Sequence, residues 1–342
     1  MAEFFPVTYS ILSAEALAAD VLPEYSVGDG AECTFYSTGF NDTYRVRTAL
    51  GQRLYLRVYR LPWRSLADIE YELDALNHLH RHGFPAIRPL PRRDGRFVHA
   101  VRAPEGLRYM ALFTEAPGRE IAYGENPESV AFRYGQAVAR FHNALEGFNS
   151  PHARFHIDLD HLIDTPLRNI EPFLAHRADA WAYLQRFAAT LRQQIVDLPA
   201  TALEQGFCHG DLQGYHANVD ADGTLTFYDF DCCGYGYRAY DLAVFRWCGR
   251  LEEQEELRWE PYLRGYREIR LLNDLDVQAV PLFVGARYIW HMGVHTQNAP
   301  DWGCGFLNDK YFDPRLEQLR ALESTLRSGS PGTHPSQPAR QG

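Results

Sequence analysis

The sequence predicts an α+β chain of two lobes. Three observations predict it. Strand-like alternation and turn signals fill the first 115 residues around a single long helix, helical periodicity dominates after residue 125, and one short hairpin with acidic residues at both ends interrupts the helical half. That order implies a cleft between the lobes, and ligands favour such clefts.

Each element has its own signal. Residues 10–20, SILSAEALAAD, read as a short amphipathic helix whose start is only half marked, because Ser13 lacks an acidic residue three positions on. Strands follow at Cys33 to Ser37, Tyr44 to Ala49 and Arg53 to Tyr59. Gly39, Asn41 and Asp42 supply the first turn, and Leu50-Gly51-Gln52 the second. Leu54, Leu56 and Val58 alternate with Tyr55 and Arg57, so Arg57 faces away from the apolar set. A helix is expected over about Ser65 to His82, with Leu66, Ile69, Leu73, Leu76 and Leu79 on one face, Gly83 at its C-terminus and Pro85 beyond. RFVHAV and LRYMALF add two strands. SVAFRYGQAVARFHNAL is a strong helix, and helical periodicity returns over about 165–197 and after the hairpin to about 327. The last residues, 328–342, are rich in Ser, Pro and Gly, and the composition predicts a disordered tail. The expected division is therefore 1–115, 116–327 and the tail.

Composition narrows the function. The formal net charge of -10 argues against a duplex nucleic-acid partner and against an anionic membrane surface. It allows a cationic substrate, although solubility is the commoner use of such a charge. The six cysteines form no C-x-x-C pair, which fits free thiols in a reducing compartment. No secretory pattern opens the chain and no apolar run is long enough to span a bilayer, so a cytoplasmic protein is expected.

The chemistry concentrates in FCHGDLQGYHANVDADGTLTFYDFDCCG, residues 207–234. Asp222-Gly223 between strand-like residues is a hairpin signal. Such a hairpin folds Asp229 back beside Asp211, so that both carboxylates face one cleft. Phosphoryl transfer from ATP needs few protein parts: metal ions on the phosphates, a group that orients the attacking hydroxyl, and cations for the spreading charge. Asp211 is of the right type for the hydroxyl. Asp229 is of the right type for magnesium, a hard cation that takes oxygen ligands. Either tripeptide alone, HGD or DFD, reads more readily as surface loop acids; the two joined by this hairpin are far more specific.

At this point the chain resembles the aminoglycoside phosphotransferase and choline kinase group, which shares the protein-kinase-like fold. It is most similar there to the branch holding stress-response kinase A and homoserine-kinase-type proteins. The resemblance runs from about Phe35 to Leu322 and rests on STGFNDTYRV, YLRVYR, IEYELDALNHLHRHGFP, ALFTEAPGRE, GQAVARFH, HGDLQGYHANV, FYDFDCCGYGYRAYDLAVF, ARYIWHMGVHT and DKYFDPRLEQLRAL. It implies an ATP- and magnesium-dependent phosphotransferase acting on a hydroxyl. Asp211 would be the catalytic base and Asp229 the main metal ligand. Gly39, Asn41 and Arg57 would sit by the phosphates, with Glu72 pairing Arg57. Adenine would lie at a hinge formed by Phe113, Thr114 and Ala116. His209 would hold the catalytic loop and Asp241 would brace it, while Asp231 is either a helper near the metal or a capping or solvated acid. The acceptor stays open between a small molecule and protein Ser or Thr.

Two positions depart from the family pattern. The usual strand lysine is Arg57, which keeps the charge with a planar fork in place of a point charge. The usual asparagine five residues after the catalytic aspartate is His216, as in the macrolide kinases this loop resembles, with Asn218 two residues on. An imidazole at the metal is softer than an amide oxygen and suits manganese better than magnesium. Three readings follow: His216 ligates, Asn218 ligates through a bulged loop, or neither does. The last would make the chain a nucleotide-binding pseudokinase acting through partners.

Overall fold

The computed structural model describes residues 5–124, 126–199 and 203–328. The expected tail lies outside the described residues from 329 onward; Ser328 is the last residue of a helix.

The chain opens with α1, Ala14–Ala16, continued by single helical turns through Glu24. Ser13 does cap it: its hydroxyl accepts from the Ala16 N–H. Three antiparallel strands follow, β1 (Glu32–Thr38), β2 (Asn41–Arg47) and β3 (Arg53–Tyr59), then α2 (Leu66–Arg81). Ser65 and Asp68 form a reciprocal capping box at the start of α2. Strands β4 (Pro89–Leu90), β5 (His99–Ala103) and β6 (Gly106–Thr114) complete a sheet of six strands, ordered β1-β2-β3-β6-β4 with β5 also on β6.

The sequence reading differs from this sheet in three places. The first turn is only Gly39-Phe40, because Asn41 and Asp42 already belong to β2. Asp42 is held there by the fully buried Arg108 at 2.9 Å. Strand β2 ends at Arg47, short of Ala49, and the two-residue β4 was not anticipated.

One face of the sheet, carrying Tyr44, Val46, Leu54, Leu56, Val58, Met110 and Leu112, is buried under the N-terminal helical run. The opposite face, with Arg57, Tyr59, Ala111 and Phe113, turns toward α2 and the helical half. The period of two that separates Leu56 from Arg57 thus divides packing from chemistry across one strand.

Beyond β6 come β7 (Arg119–Glu120), α3 (Pro127–Ala144), β8 (His156–Ile157), α4 (Thr165–Leu174) and α5 (Ala178–Asp197). Strand β9 (Gln205–Cys208) leads into the acidic segment. The expected hairpin is β10 (Ala217–Val219) paired with β11 (Leu225–Phe227), and β10 also pairs with β7. Then β12 (Gly234–Tyr237) pairs with β9 and β8. Helices α6 (Arg238–Leu251), α7 (Glu255–Ile269), α8 (Asp274–Gln297), α9 (Ala299–Trp302) and α10 (Asp309–Ser328) finish the chain. Among the described residues no helix is long and apolar enough to cross a membrane.

The two halves touch at defined points. The Ile87 N–H donates to the Phe227 carbonyl and the Phe227 N–H to the Pro85 carbonyl, joining the segment after α2 to the acidic hairpin. Phe40, at the tip of the β1–β2 turn, stacks on Trp63 at 4.9 Å and meets Trp302 of α9 at 5.0 Å. Arg60 reaches Asp301 beside it at 3.4 Å.

Leu56 is fully buried in the face under the N-terminal run. Replacing it with alanine is expected to lower stability by about 2–5 kcal/mol, read by chemical denaturation.

Candidate active site

The segment that begins at His209 is held from behind by Asp241 of α6. Its two carboxylate oxygens accept the backbone N–H groups of His209 and Gly210, each at 2.8 Å. His142 of α3 contacts the same carboxylate at 3.1 Å through Nε2, and its Nδ1 faces the Tyr266 hydroxyl at 2.8 Å. Gly210 has φ of 79°, and a Cβ there would come within 2.3 Å of the Cys232 carbonyl oxygen, so only glycine fits. His209 works as a strut. Its Nε2 donates to the Tyr228 carbonyl at 3.1 Å and its Nδ1 accepts from the Asp211 N–H at 3.3 Å. That pattern fixes the neutral tautomer, and burial holds its pKa below the usual imidazole value.

Asp211 follows with a side chain only 14% exposed. Its Oδ1 accepts from Gln213 at 2.8 Å and from Arg287, which lies in direct contact. Burial would raise the Asp211 pKa, but the Arg287 guanidinium and the His216 ring outweigh it and hold the carboxyl at about 2. Arg287 is itself fixed. It sits between the Trp247 and Trp290 rings at 4.9 and 4.5 Å and reaches the Gly210 carbonyl and the Tyr240 hydroxyl.

His216 stands between the two acids. Its Nδ1 donates to the Asp211 carbonyl at 2.8 Å and lies 3.4 Å from Asp211 Oδ2. Its Nε2 is left facing Asp229 Oδ2 at 3.9 Å. Asp229, 44% exposed, opens onto the cleft. Its φ of 63° is left-handed, a conformation that non-glycine residues rarely adopt and that concentrates at functional sites. Asn218 points elsewhere: its amide donates to the Ala116 carbonyl at 2.9 Å. Among the described residues no group of three or more His, Cys, Asp or Glu side chains is assembled to hold a metal, so the site offers the His216–Asp229 pair alone.

Arg57 joins the sheet to this pair. Nη1 donates to Glu72 Oε1 at 2.8 Å and Nη2 to Asp229 Oδ1 at 3.1 Å, while the Tyr59 hydroxyl donates to Glu72 Oε2 at 3.1 Å. Burial works against the Arg57 charge, and the two carboxylates more than reverse it, so its pKa rises. Burial also pushes the Glu72 carboxyl up, against the pull of Arg57. The donors on both Glu72 oxygens make the ionised pair the state that fits.

Asp231 is not solvated. It is buried, with the Trp63 indole N–H at 2.6 Å, Arg64 at 3.2 Å, and Arg154 on its backbone carbonyl at 2.5 Å. Burial would raise its pKa; Arg64, Arg57 and Arg154 bring it below the usual carboxylate value. Arg154 also donates to the Asp68 carbonyl, so this knot ties the start of α2 to the loop after Asp229.

A cavity of about 490 Å³ lies beside these groups, lined by Tyr36, Arg57, Ile87, Phe113, Thr114, Ala116, Asn218, Tyr228 and Asp229 among others. It gathers the three expected hinge residues with Arg57. Gly39 and Asn41 lie outside its lining. The Asn41 side chain accepts the Arg60 N–H at 3.2 Å, and the Gly39 N–H donates to the Asn41 carbonyl at 3.0 Å, so both shape the turn.

With this geometry in view, the comparisons with known proteins are direct. Residues 32–272 match the model of the phosphotransferase enzyme family. The chain belongs to that family. An uncharacterized protein of Deinococcus radiodurans is 38% identical over 326 residues, covering 94% of this chain and 93% of its own. A microcompartment-associated aminopropanol kinase superposes with a TM-score of 0.76 at 24% identity, covering 92% of this chain and 98% of that one. An amicoumacin kinase solved with AMP-PNP, Ca2+ and Ami gives 0.74 at 19%, covering 94% and 95%. The fold of this family member is therefore the kinase-like α+β fold that the sequence predicted.

Sequence reasoning missed Arg287, Gln213 and the Trp63–Arg64–Arg154 knot. Arg287 had a usable signal, since it stands alone in the apolar run VPLFVGARYIW, and a buried guanidinium must find a partner.

Two outcomes follow. Arg57→Met leaves Glu72 buried without its cation, and a loss of about 3–5 kcal/mol in denaturant unfolding is expected. The Asp211 carboxyl sits at about 2 when folded, against about 3.9 when unfolded. Its stabilisation, on the order of 2 kcal/mol, is fully present above pH 4 and is lost as pH falls toward 2. Arg287→Met removes much of it, so the stability gap between wild type and variant should narrow as unfolding is measured from pH 5 downward.

Proposed function

We propose that this chain is an ATP- and divalent-metal-dependent kinase that moves the γ-phosphoryl group of ATP to a hydroxyl of a small molecule. The observation that carries it is the His216 ring set between Asp211 and Asp229, 3.4 Å from one carboxylate and 3.9 Å from the other, with Arg57 tying Asp229 to Glu72. The two solved neighbours are both small-molecule kinases by name, which favours a small acceptor over protein Ser or Thr. The named relatives are kinases, which favours turnover over a binding-only pseudokinase role.

In this reading residues 1–115 form a nucleotide lobe and 116–327 the catalytic lobe. Adenine lies in the cavity by Phe113, Thr114 and Ala116, and Asn218 fixes the hinge through the Ala116 carbonyl. Gly39 and Asn41 shape the turn over the phosphates, and Arg57 supplies positive charge beneath them. The acceptor hydroxyl meets Asp211 Oδ2, since Oδ1 is engaged by Arg287 and Gln213. The hydroxyl oxygen forms the new bond to the γ-phosphorus, the bond from that phosphorus to the bridging oxygen breaks, and ADP leaves with the electron pair. The hydroxyl proton passes to Asp211. A carboxylate this acidic acts mainly by orienting the hydroxyl until late in the reaction, which suits a loose transition state.

The donors fit a divalent cation. One carboxylate with an imidazole and the nucleotide's own phosphates is a sparse protein set of the kind magnesium accepts, and the imidazole nitrogen makes manganese equally suitable. When bound, the metal would neutralise charge on the phosphates; Asp229 and His216 would hold it.

Transfer of labelled γ-phosphate from ATP into the small-molecule fraction of a cell extract tests the reading. Asp211→Asn is expected to lower it roughly 10²–10⁴-fold. Label found only on proteins, or full turnover in Asp211→Asn, would sink it. His216→Ala should raise the metal concentration needed for half-maximal turnover, whereas Asn218→Ala should raise the KM for ATP and leave that requirement alone.

A further inference from the structure

The face of α8 that meets Asp211 continues for two more turns. Arg287, His291 and His295 are spaced by four, so they form one stripe, about 12 Å long between the first and last Cα. At one end Arg287 contacts Asp211. At the other, His295 lies 5.8 Å from Trp302, whose ring meets Phe40 at the tip of the β1–β2 turn. The stripe therefore runs from the Asp211 carboxylate toward the β1–β2 turn, and its far end, His295 with Arg315 beside it, is half-buried and not sealed.

The groups along this stripe are donors and cations. Tyr311 hydrogen-bonds His295 Nδ1 at 2.9 Å, and the Arg315 guanidinium lies over the Tyr311 ring at 3.8 Å. Arg315 has no carboxylate partner among the described residues; its Nη1 donates only to the Tyr311 carbonyl. The Trp247 indole N–H and the Arg287 Nε–H, both buried, lack partners among the described residues. His291 makes no hydrogen bond there and packs on Trp247 at 5.0 Å. Burial, then Arg315 and Arg287, hold the His295 pKa at about 4, and no carboxylate offsets them. His291 is likewise pushed below the usual imidazole value, by burial first, with only Asp211 pulling the other way. An ammonium group at the His295 end would meet the Arg315 guanidinium, and the carboxylate beside Trp302, Asp301, is already paired with Arg60 at 3.4 Å.

Resting on the kinase reading above, we propose that the acceptor carries an oxyanion about two helix turns from its reactive hydroxyl, bound by Arg315 with His295 and Tyr311 beside it. The acceptor is then an elongated hydroxy acid or hydroxyalkyl phosphate, and a cationic amino alcohol is excluded.

The test is phosphoryl transfer from labelled ATP to a set of terminal alcohols. The probes are 4-hydroxybutyrate, 8-hydroxyoctanoate, 12-hydroxydodecanoate, 8-hydroxyoctyl phosphate and 8-amino-1-octanol. The eight-carbon anions should be the best acceptors, and their ranking tells carboxylate from phosphate. Arg315→Gln should raise their KM about tenfold or more with a smaller change in kcat, and Arg315→Lys should restore part of it. Arg320→Gln, further along α10 with its guanidinium over Tyr183, is the surface control and should leave KM unchanged. A preference for 8-amino-1-octanol, or an unchanged KM in a folded Arg315→Gln, overturns the proposal and leaves the kinase reading standing. Transfer to none of the probes also overturns it. The kinase reading is then judged separately, by transfer of labelled γ-phosphate into the small-molecule fraction of a cell extract and its loss in Asp211→Asn.

Discussion

One guanidinium holds the site together. Arg57 of β3 binds Glu72 of α2 and Asp229 of the loop after β11, so three segments distant in sequence share one buried cation. Burying a charge is expensive unless it is paired and hydrogen-bonded, and Glu72, 1% exposed, depends on this cation, whereas Asp229 is half-exposed. The arrangement is therefore mutually enforcing. The helix cannot rotate away from the sheet without stranding the Glu72 charge, and the Asp229 contact adds the loop to the same cation. The second knot, Asp231 with Trp63, Arg64 and Arg154, repeats this logic on the other side of the same loop.

The segment from His209 to Asp211 is held by a different means. Asp241 gathers two consecutive backbone N–H groups, and His209 bridges a carbonyl and an amide as a neutral ring. Backbone donors do not titrate, and an imidazole fixed as donor on one nitrogen and acceptor on the other gains little from a second proton. The scaffold of the loop is thus insensitive to pH over the range in which its carboxylates stay ionised. Asp211 projects from this scaffold with one oxygen anchored by Arg287 and Gln213 and the other available.

Much of this was legible in the sequence, for physical reasons that can be named. Strand β3 was read to its ends because its apolar residues alternate, and α2 because its apolar stripe is bounded by Ser65 and Gly83. The facing of Arg57 followed from the same alternation. The turn before β2 was misplaced because Asn41 and Asp42 are turn formers by type. In the fold, Arg60 and Arg108 hold them in extended conformation, and that tertiary contact has no local signal. The choice between His216 and Asn218 was open because two residues of spacing do not say where a side chain points. The pairing of β10 with both β11 and β7 turns Asn218 toward Ala116. Arg287 lies 76 residues from Asp211, and such a pair is visible only once helices are packed.

The β1–β2 turn carries a consequence for the timing of the reaction. Its tip, Phe40, is clasped between Trp63 and Trp302, and Arg60 beside it holds Asp301. Only Gly39 and Phe40 separate the two strands, so the tip has little slack of its own. For the phosphate end of the cleft to open, these rings must part and expose apolar surface to water. That step is opposed by the same contacts that, in the kinase reading proposed above, keep water from the transferring group. In that reading, how often the clasp opens sets an upper limit on nucleotide exchange.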